Sequence, residues 1–263
     1  MPECIESRMI SNDLKIFIGK SISSYILTDK AKSSGFETLI CPIVIKNVKS
    51  HGKKIIFEFE NQLMIVSLGM SGRFQYEEGK HSHIHFNIDN TTLYYEDPRR
   101  FGKIIVIDKT QQATYFSKLG PCLLTHALDK GISKKQWRKL YQPKLLKRKM
   151  ADILLDQSIV SGIGLYLMTE ILYWSKISPL RIGNTITKKE LECIRIHAHK
   201  VVLEAYKHGG LTIKNYLSPN QRKGVYKTSV YGHKKDPNGY KVINVKLGGK
   251  KSRTVHYIKE IQK

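Results

Sequence analysis

Acidic residues are scarce in this chain. Only 22 Asp and Glu stand against 45 Lys and Arg among 263 residues, a formal net charge of +23. Folding gains nothing from so much like charge, because self-repulsion opposes compaction. Such an excess serves a polyanion, and nucleic acid is the commonest one. An acidic membrane surface is the rival partner, but no basic amphipathic helix carries a clustered aromatic face. Long apolar runs are also missing. Nothing approaches the roughly 18 residues of a membrane span, and no signal peptide precedes Pro2. The cysteines, Cys4, Cys41, Cys122 and Cys193, are so scattered that no CxxC or Cys/His pair has metal-ligand spacing. Free thiols in a reducing, intracellular location are expected. Internal repeats and low-complexity tracts are absent too. What remains is 41% hydrophobic, 9% aromatic and 25% charged, an ordinary globular balance in a chain long enough for one large domain or two modest ones.

The first ~105 residues read mainly as strands. Ile43–Val48, Lys54–Phe59, Leu63–Leu68 and Ile84–Ile88 are short, β-rich and separated by turn signals. Ile10 to Ile18 is the exception, an amphipathic helix closed by Gly19. This part is expected to be a sandwich of antiparallel sheets. After residue 110 the period changes. Ser133–Tyr141 (with Ser133 as N-cap), Leu145–Leu155, Leu165–Ser175 and Thr187–His208 repeat apolar residues every three or four positions. From Tyr226 strands return around turns at Asp236-Pro237-Asn238-Gly239 and Gly248-Gly249, which predicts a β-hairpin appendage. The class is therefore α+β, divided at 1–120, 121–225 and 226–263.

Chemistry enters through five segments. Met1-Pro2-Glu3 with Glu6 opens the chain; Leu68-Gly69-Met70-Ser71-Gly72-Arg73-Phe74 and Asp97-Pro98-Arg99-Arg100-Phe101-Gly102 each follow a strand. Leu154-Leu155-Asp156-Gln157, Val160-Ser161-Gly162-Ile163-Gly164, Glu170-Ile171-Leu172 and Ser178-Pro179-Leu180-Arg181 cross two helices, and Val230-Tyr231-Gly232 lies near the end. Each is weak to moderate alone. Together, in order and over nearly the whole chain, they resemble the formamidopyrimidine-DNA glycosylase/endonuclease VIII (Fpg/Nei) family. The resemblance implies a β-sandwich, a helix–two-turn–helix domain and a finger, with damaged duplex DNA as partner. It implies a monomeric bifunctional glycosylase and lyase that excises oxidised bases.

Pro2 makes sense without the family. Methionine aminopeptidase removes Met before a small second residue and leaves a secondary amine. An α-amino group titrates near ~8 against ~10.4 for lysine. Near neutral pH roughly a third of such amines are free base, compared with about one lysine in a thousand. Such an amine can attack C1′ of a deoxyribose and form an iminium, which acidifies the C2′ protons and permits β-elimination. The resemblance assigns Glu3 to proton handling at the ring oxygen. It assigns Lys53, in Ser50-His51-Gly52-Lys53-Lys54, to a phosphate or to the leaving base, although Lys54 is one residue away and a solvated turn lysine is the plain reading. An extruded base leaves a void, and Met70, Arg99 and Phe101 match the residues that fill it: a flexible thioether, a bond to the orphaned base and an aromatic wedge.

Two departures stand out. Gly162-Ile163-Gly164 resembles the tight turn where Gly164 would approach a DNA phosphate at a helix N-terminus. Yet Leu165 stands where the family has Asn, and Ala151 where a phosphate-directed lysine is expected; Lys147, Arg148 and Lys149 lie nearby. In the tail, Asn238, Lys241, Ile258 and Ile261 fall at the four cysteine positions of the zinc-bearing members. They are no ligand set, so neither metal nor other cofactor is expected, and the two isoleucines imply an apolar core like that of the zincless-finger branch. That branch leans towards oxidised pyrimidines and hydantoins, and the lesion loop between Tyr216 and Tyr231 is about two residues shorter than the family's long form. Arg253 matches the finger's DNA-contacting arginine. His81, His83 and His85 alternate and would share one face of a strand, as in a metal site, but no carboxylates surround them and a structural strand is expected. The rival functions are a catalytically inactive basic DNA-binding protein and, more distantly, an RNA-binding protein.

Overall fold

A computed structural model describes residues 2–28, 31, 33–138, 147–211, 223–248 and 253–263. The chain gathers into two compact units, Met1–Lys118 with Gly209–Val225, and Leu119–His208 with Tyr226–Lys263.

The first unit opens with helix α1 (Cys4–Asp13) and a 3-10 turn, Leu14–Phe17. This differs from the expected helix over 10–18. Glu3 and Glu6 form a reciprocal capping box that starts the helix six residues earlier than the apolar spacing shows. Ile10, Leu14 and Phe17 still supply the buried stripe. Strands follow: β1 (Ser21–Leu27), β2 (Ser33–Ser34), β3 (Ile43–Val44), β4 (Asn47–His51), β5 (Lys54–Glu58), β6 (Gln62–Ser67), β7 (Arg73–Gln75), β8 (Ser82–Ile88), β9 (Thr91–Glu96) and β10 (Lys103–Asp108), then helix α2 (Gln112–Ser117). They form two five-stranded sheets, β3-β1-β8-β9-β7 and β2-β10-β6-β5-β4. All pairs are antiparallel except the two-residue β2, which lies parallel to β10. Ile55, Phe57, Met64 and Val66 join the main core with Phe74, Phe86, Tyr95 and Ile104. Ile56, Leu63 and Ile65 face the other way and pack with Tyr115 and Phe116 of α2. Both faces of β5 and β6 are therefore covered, which is why these strands read as unbroken apolar runs rather than alternating ones.

The second unit contains α3 (Leu123–Leu128), α4 (Lys134–Arg138), α5 (Met150–Leu154), α6 (Leu165–Trp174), α7 (Lys188–Lys207) and the hairpin β11 (Ile243–Leu247) with β12 (Arg253–Tyr257). Of the expected helix over 133–141 the described part is helical behind Ser133, and the helix expected over 145–155 begins only at Met150; residues 139–146 lie outside the described residues. Ser133 does cap, its Oγ accepting the Gln136 N–H at 3.2 Å. Helix α7 buries Leu191, Ile194, Ala198, Val201, Val202 and Ala205 on one stripe, the amphipathic pattern read from sequence. Helix α6 is buried nearly all round. Within it Glu170 is fully buried, yet its oxygens accept the backbone N–H groups of Ser229, Val230 and Tyr231 at 2.8, 3.0 and 3.0 Å. This carboxylate fastens the C-terminal segment to the helix.

Two expectations follow. Glu170→Gln places an amide N–H against a backbone N–H and should cost about 1–3 kcal/mol. Hydrogen exchange at Ser229–Tyr231 should quicken, and unchanged exchange would show that the carboxylate does not hold the segment. Glu190, whose carboxylate accepts two bonds from Arg181 at 2.6 and 3.1 Å and one from the Thr187 N–H at 2.8 Å, is held down at about 2 from 4.5 by the Arg181 guanidinium first. A carboxyl depressed in the folded state stabilises fully above its unfolded pKa and loses that contribution as pH falls. The melting-temperature gap between wild type and Glu190→Gln should therefore shrink as pH falls from 4.5 towards 2.

Candidate functional site

At the start of the chain, Pro2 and Glu3 are both buried and lead directly into α1. Glu6 Oε2 accepts the Glu3 N–H at 2.7 Å, while Glu6 Oε1 accepts the Leu211 N–H at 3.0 Å. One carboxylate thus ties the N-terminal turn to the return segment at 209–211. Gly210 is needed for this approach: a Cβ there, already disfavoured by φ 86°, would lie 2.4 Å from Glu6 Oε1. The β4–β5 hairpin packs on α1, with Arg8 Nε donating to Ser50 Oγ at 2.9 Å. His51 pairs with Lys54 across a two-residue turn whose first member, Gly52, has φ 54°, so Lys53 sits at the apex. Its neighbour is spoken for. Lys54 Nζ donates to Ser67 Oγ. Burial, with Lys103 and Lys53 alongside, holds the Lys54 ammonium below the usual lysine range.

Met70, Arg99 and Phe101 come together on two touching turns, and all three are exposed. The Arg99 guanidinium lies over the Phe101 ring, 4.7 Å from its centroid. The turns meet backbone to backbone: a Cβ on Gly69 would be 2.4 Å from the Phe101 carbonyl carbon. Asp97 joins them. Its Oδ1 accepts from Ser71 Oγ at 2.5 Å and its Oδ2 from the Gly102 N–H at 2.6 Å. Ser71 Oγ also accepts the Arg99 N–H at 3.1 Å. Arg100, between the two exposed side chains, is left-handed at φ 53°. Beneath lies Tyr95, whose buried hydroxyl has no hydrogen-bond partner among the described residues. A Cβ on Gly102 would fall 1.8 Å from that oxygen and one on Gly72 2.6 Å from it.

In the second unit, Gly162 (φ 106°) turns the chain and Gly164 is the N-cap of α6. The turn is stitched by Gln157, whose Oε1 accepts the Gly162 N–H at 2.9 Å and whose Nε2 donates to the Ile163 carbonyl at 2.8 Å. Leu165 is half-buried at the first helical position, where it offers no polar side chain. Ala151 is fully buried and faces away from solvent. Arg148 is occupied: it binds Asp156 Oδ2 at 2.7 Å and the Asp152 carbonyl at 2.9 Å. Lys147 is exposed.

Arg253 begins β12 opposite Leu247, half-buried; Gly249 of the expected turn at Gly248-Gly249, and residues 216–222 of the expected lesion loop, lie outside the described residues. Ile258 is fully buried in an apolar cluster with Tyr173, Val230 and Val242, against which Ile261 packs. The three histidines do not share a face. A β-bulge between Ser82 and Ile84 breaks the alternation, leaving His83 buried with Nε2 3.1 Å from the Asp97 carbonyl and His85 packed edge-on to Tyr94. Among the described residues, no three His, Cys, Asp or Glu side chains converge to hold a metal. No described helix is long and apolar enough to cross a membrane.

Sequence reasoning includes Ser71, Asp97 and Glu6 in its motifs but misses their holding roles. The only available signal was Glu3-x-x-Glu6, which has capping-box spacing with a glutamate in place of the usual N-cap.

Comparison with known proteins finds relatives over nearly the whole chain. Residues 1–104 match the model of the formamidopyrimidine-DNA glycosylase N-terminal domain, and residues 123–216 match that of the formamidopyrimidine-DNA glycosylase H2TH domain. A formamidopyrimidine-DNA glycosylase of Wolbachia sp. subsp. Brugia malayi is 32% identical over 260 residues, covering 93% of this chain and 92% of that protein. One from Mycoplasma genitalium is 30% identical over 266 residues, covering 95% and 91%. The crystal structure of MutM (Fpg) from Thermus thermophilus superposes with TM-score 0.88 at 26% identity, over 99% of this chain and 98% of that one. A Lactococcus lactis Fpg variant in complex with Fapy-dG containing DNA gives 0.87 at 26% identity, over 99% of both chains.

The apolar cluster around Ile258 leads to a metal test. Purified protein should contain no stoichiometric zinc, and chelator should leave its melting temperature unchanged, because metal-held fingers unfold when stripped. One equivalent of zinc by elemental analysis would overturn this.

Proposed function

The chain belongs to the formamidopyrimidine-DNA glycosylase family, and on that footing we propose that it excises oxidised bases from duplex DNA in base excision repair and then cleaves the strand as a lyase. Once Met1 is removed, the Pro2 nitrogen attacks C1′ of the damaged nucleotide. The glycosidic bond breaks and its electrons leave with the base; the Pro2 nitrogen sheds its proton, and the Pro2–C1′ iminium forms when the C1′–O4′ bond breaks. Glu3 protonates the ring oxygen as the sugar opens. Lys53, at the hairpin apex, holds a flanking phosphate or protonates the departing base. Loss of a C2′ proton then expels the 3′ phosphate, and water releases Pro2 from the sugar remnant. Met70, Arg99 and Phe101 occupy the void left by the extruded base. Gly164 offers a backbone N–H to a phosphate, and Arg253 contacts DNA from a finger held without zinc. The segments 1–120, 121–225 and 226–263 serve as catalytic, helix–two-turn–helix and finger parts of a monomer.

The observation that carries this reading is the start of α1: Pro2 immediately precedes a buried Glu3 whose turn is fixed by Glu6. A proline amine placed there has a proton-transfer group beside it.

Borohydride reduction on lesion-bearing duplex tests the lyase. Protein lacking Met1 should give a covalent 1:1 adduct, and protein shown by mass spectrometry to retain Met1 should give none. Glu3→Gln should keep DNA affinity while base excision falls at least ~100-fold, with a smaller loss on pre-formed abasic sites. Adduct formation by the Met1-bearing protein would sink the Pro2 assignment. Binding without any adduct from the processed protein would point to the inactive DNA-binding alternative. A panel of formamidopyrimidine, pyrimidine and hydantoin lesions assigns the preferred base.

A further inference from the structure

Wedge residues on flexible loops would each have to be immobilised as they entered DNA, and every ordered side chain would subtract from the binding free energy. Here the two turns that carry Met70, Arg99 and Phe101 are joined before any DNA arrives. Asp97 accepts from Ser71 Oγ on one turn (2.5 Å) and from the Gly102 N–H on the other (2.6 Å), and Ser71 Oγ in turn accepts the Arg99 N–H (3.1 Å). The two bonds to Asp97 are short and charge-assisted, the third is of ordinary length, and both Ser71 and Asp97 are buried, at 5% and 2% exposure. The backbone carbonyl of Asp97 accepts the Arg100 N–H at 3.1 Å, which helps hold Arg100 in its left-handed conformation between the two exposed side chains. The glycines let the turns pack in full contact. Gly69 lies against the Phe101 backbone, and Gly72 and Gly102 both abut the Tyr95 hydroxyl. Tyr95 is itself fixed edge-on to Phe74, 5.5 Å between ring centroids, in the sandwich core.

We infer that Ser71 and Asp97 are positioning residues that lock the two turns into one block, so that Met70, Arg99 and Phe101 enter the duplex as a single pre-assembled wedge. This rests on the void-filling role proposed above. Neither Ser71 nor Asp97 touches DNA; they act through the three exposed side chains. The Arg99 guanidinium already lies on the Phe101 ring, so the arginine that would bond the orphaned base and the ring that would unstack the next step move together.

The test compares two substrates carrying the same lesion. In one it is paired within a duplex, where extrusion opens a stacked void. In the other it lies in an unpaired bubble, where there is no stacked void to fill. Ser71→Ala should lower kcat on the duplex substrate by about tenfold to 100-fold, the scale of an ångström-level misplacement, and leave the bubble substrate at the wild-type rate. Asp97→Asn, which can satisfy only one of its two donors, should show the same split and serves where Ser71→Ala is poorly folded. A purely structural role would lower both rates together, or neither, and either result overturns the inference. Met70→Ala is the control on the underlying reading. If it shows no duplex-selective loss, the void-filling role itself fails. If it does and Ser71→Ala and Asp97→Asn do not, only the pre-assembled wedge fails.

Discussion

A chain with twice as many basic as acidic residues must decide where its few carboxylates go. Among the described residues, seven acids lie out of water: Glu3, Glu6, Asp13, Glu96, Asp97, Glu170 and Asp236. No lysine or arginine is buried to that degree among the described residues. The asymmetry has a physical basis. A carboxylate is compact, accepts only, and offers about four lone-pair sites, so one can collect several backbone N–H groups from turns that have no ladder to join. A lysine or arginine reaches water along its own stem. Glu6, Asp97, Glu170 and Asp236 therefore work as staples for irregular backbone, while Glu96 holds the Arg73 guanidinium. Most of the positive charge is left facing solvent, where a polyanion can meet it.

The staples sit where chain segments distant in sequence must be held together. Glu6 links the first turn of α1 to Leu211. Glu170 links α6 to Ser229–Tyr231. Asp97 links the turns after β6 and β9. Removing one partner of such a bond leaves a buried charge or an orphaned N–H, which costs more than the bond contributes. Each staple is thus stiff, and a stiff support is what a residue needs if it is to meet a transition state without reorganising. The same logic explains why glycines crowd these places. A carboxylate or hydroxyl can approach backbone this closely only where there is no Cβ, as at Gly102 and Gly210.

Much of the fold was legible because its signals are local. The capped helix α7, the two-residue turn at Gly52-Lys53 and the hairpin of β11 and β12 follow from period and turn chemistry. The strands β1 and β9 were not legible, since Ser21–Leu27 is largely exposed and exists through its partners β3 and β8 rather than through its own pattern. At the site, the residues that would touch DNA carry motif signals, whereas Ser71 and Glu6 accept from main-chain N–H groups far along the sequence, at Arg99 and Leu211, and Asp97 bridges the Ser71 hydroxyl to the Gly102 N–H. Main-chain partners leave no trace in side-chain identity. The histidine triplet fails for a related reason: alternation assumes an unbroken ladder, and one bulged residue cancels it.

The C-terminal hairpin shows the same economy by other means. A small two-stranded element cannot bury enough surface to stand alone. Here an apolar cluster of Tyr173, Val230, Val242 and Ile258 fills its base, and polar links surround it. The Tyr173 hydroxyl donates to Asp236 Oδ2 at 2.9 Å, and burial together with that carboxylate pushes the phenol up to about 12. Asp236 Oδ1 then accepts the Asn238 and Tyr240 N–H groups at 3.0 and 2.8 Å, which shapes the turn that sequence chemistry marks at 236–239. Gln262 closes the far end, accepting the Ile258 N–H at 2.8 Å and donating to the Ile177 carbonyl at 2.9 Å. Two of the cluster's links, Tyr173 and Glu170, come from one helix, α6, which begins at Gly164. A displacement of α6 would therefore be felt in the segment that leads into the hairpin, because Glu170 holds Ser229–Tyr231 and Tyr173 holds Asp236.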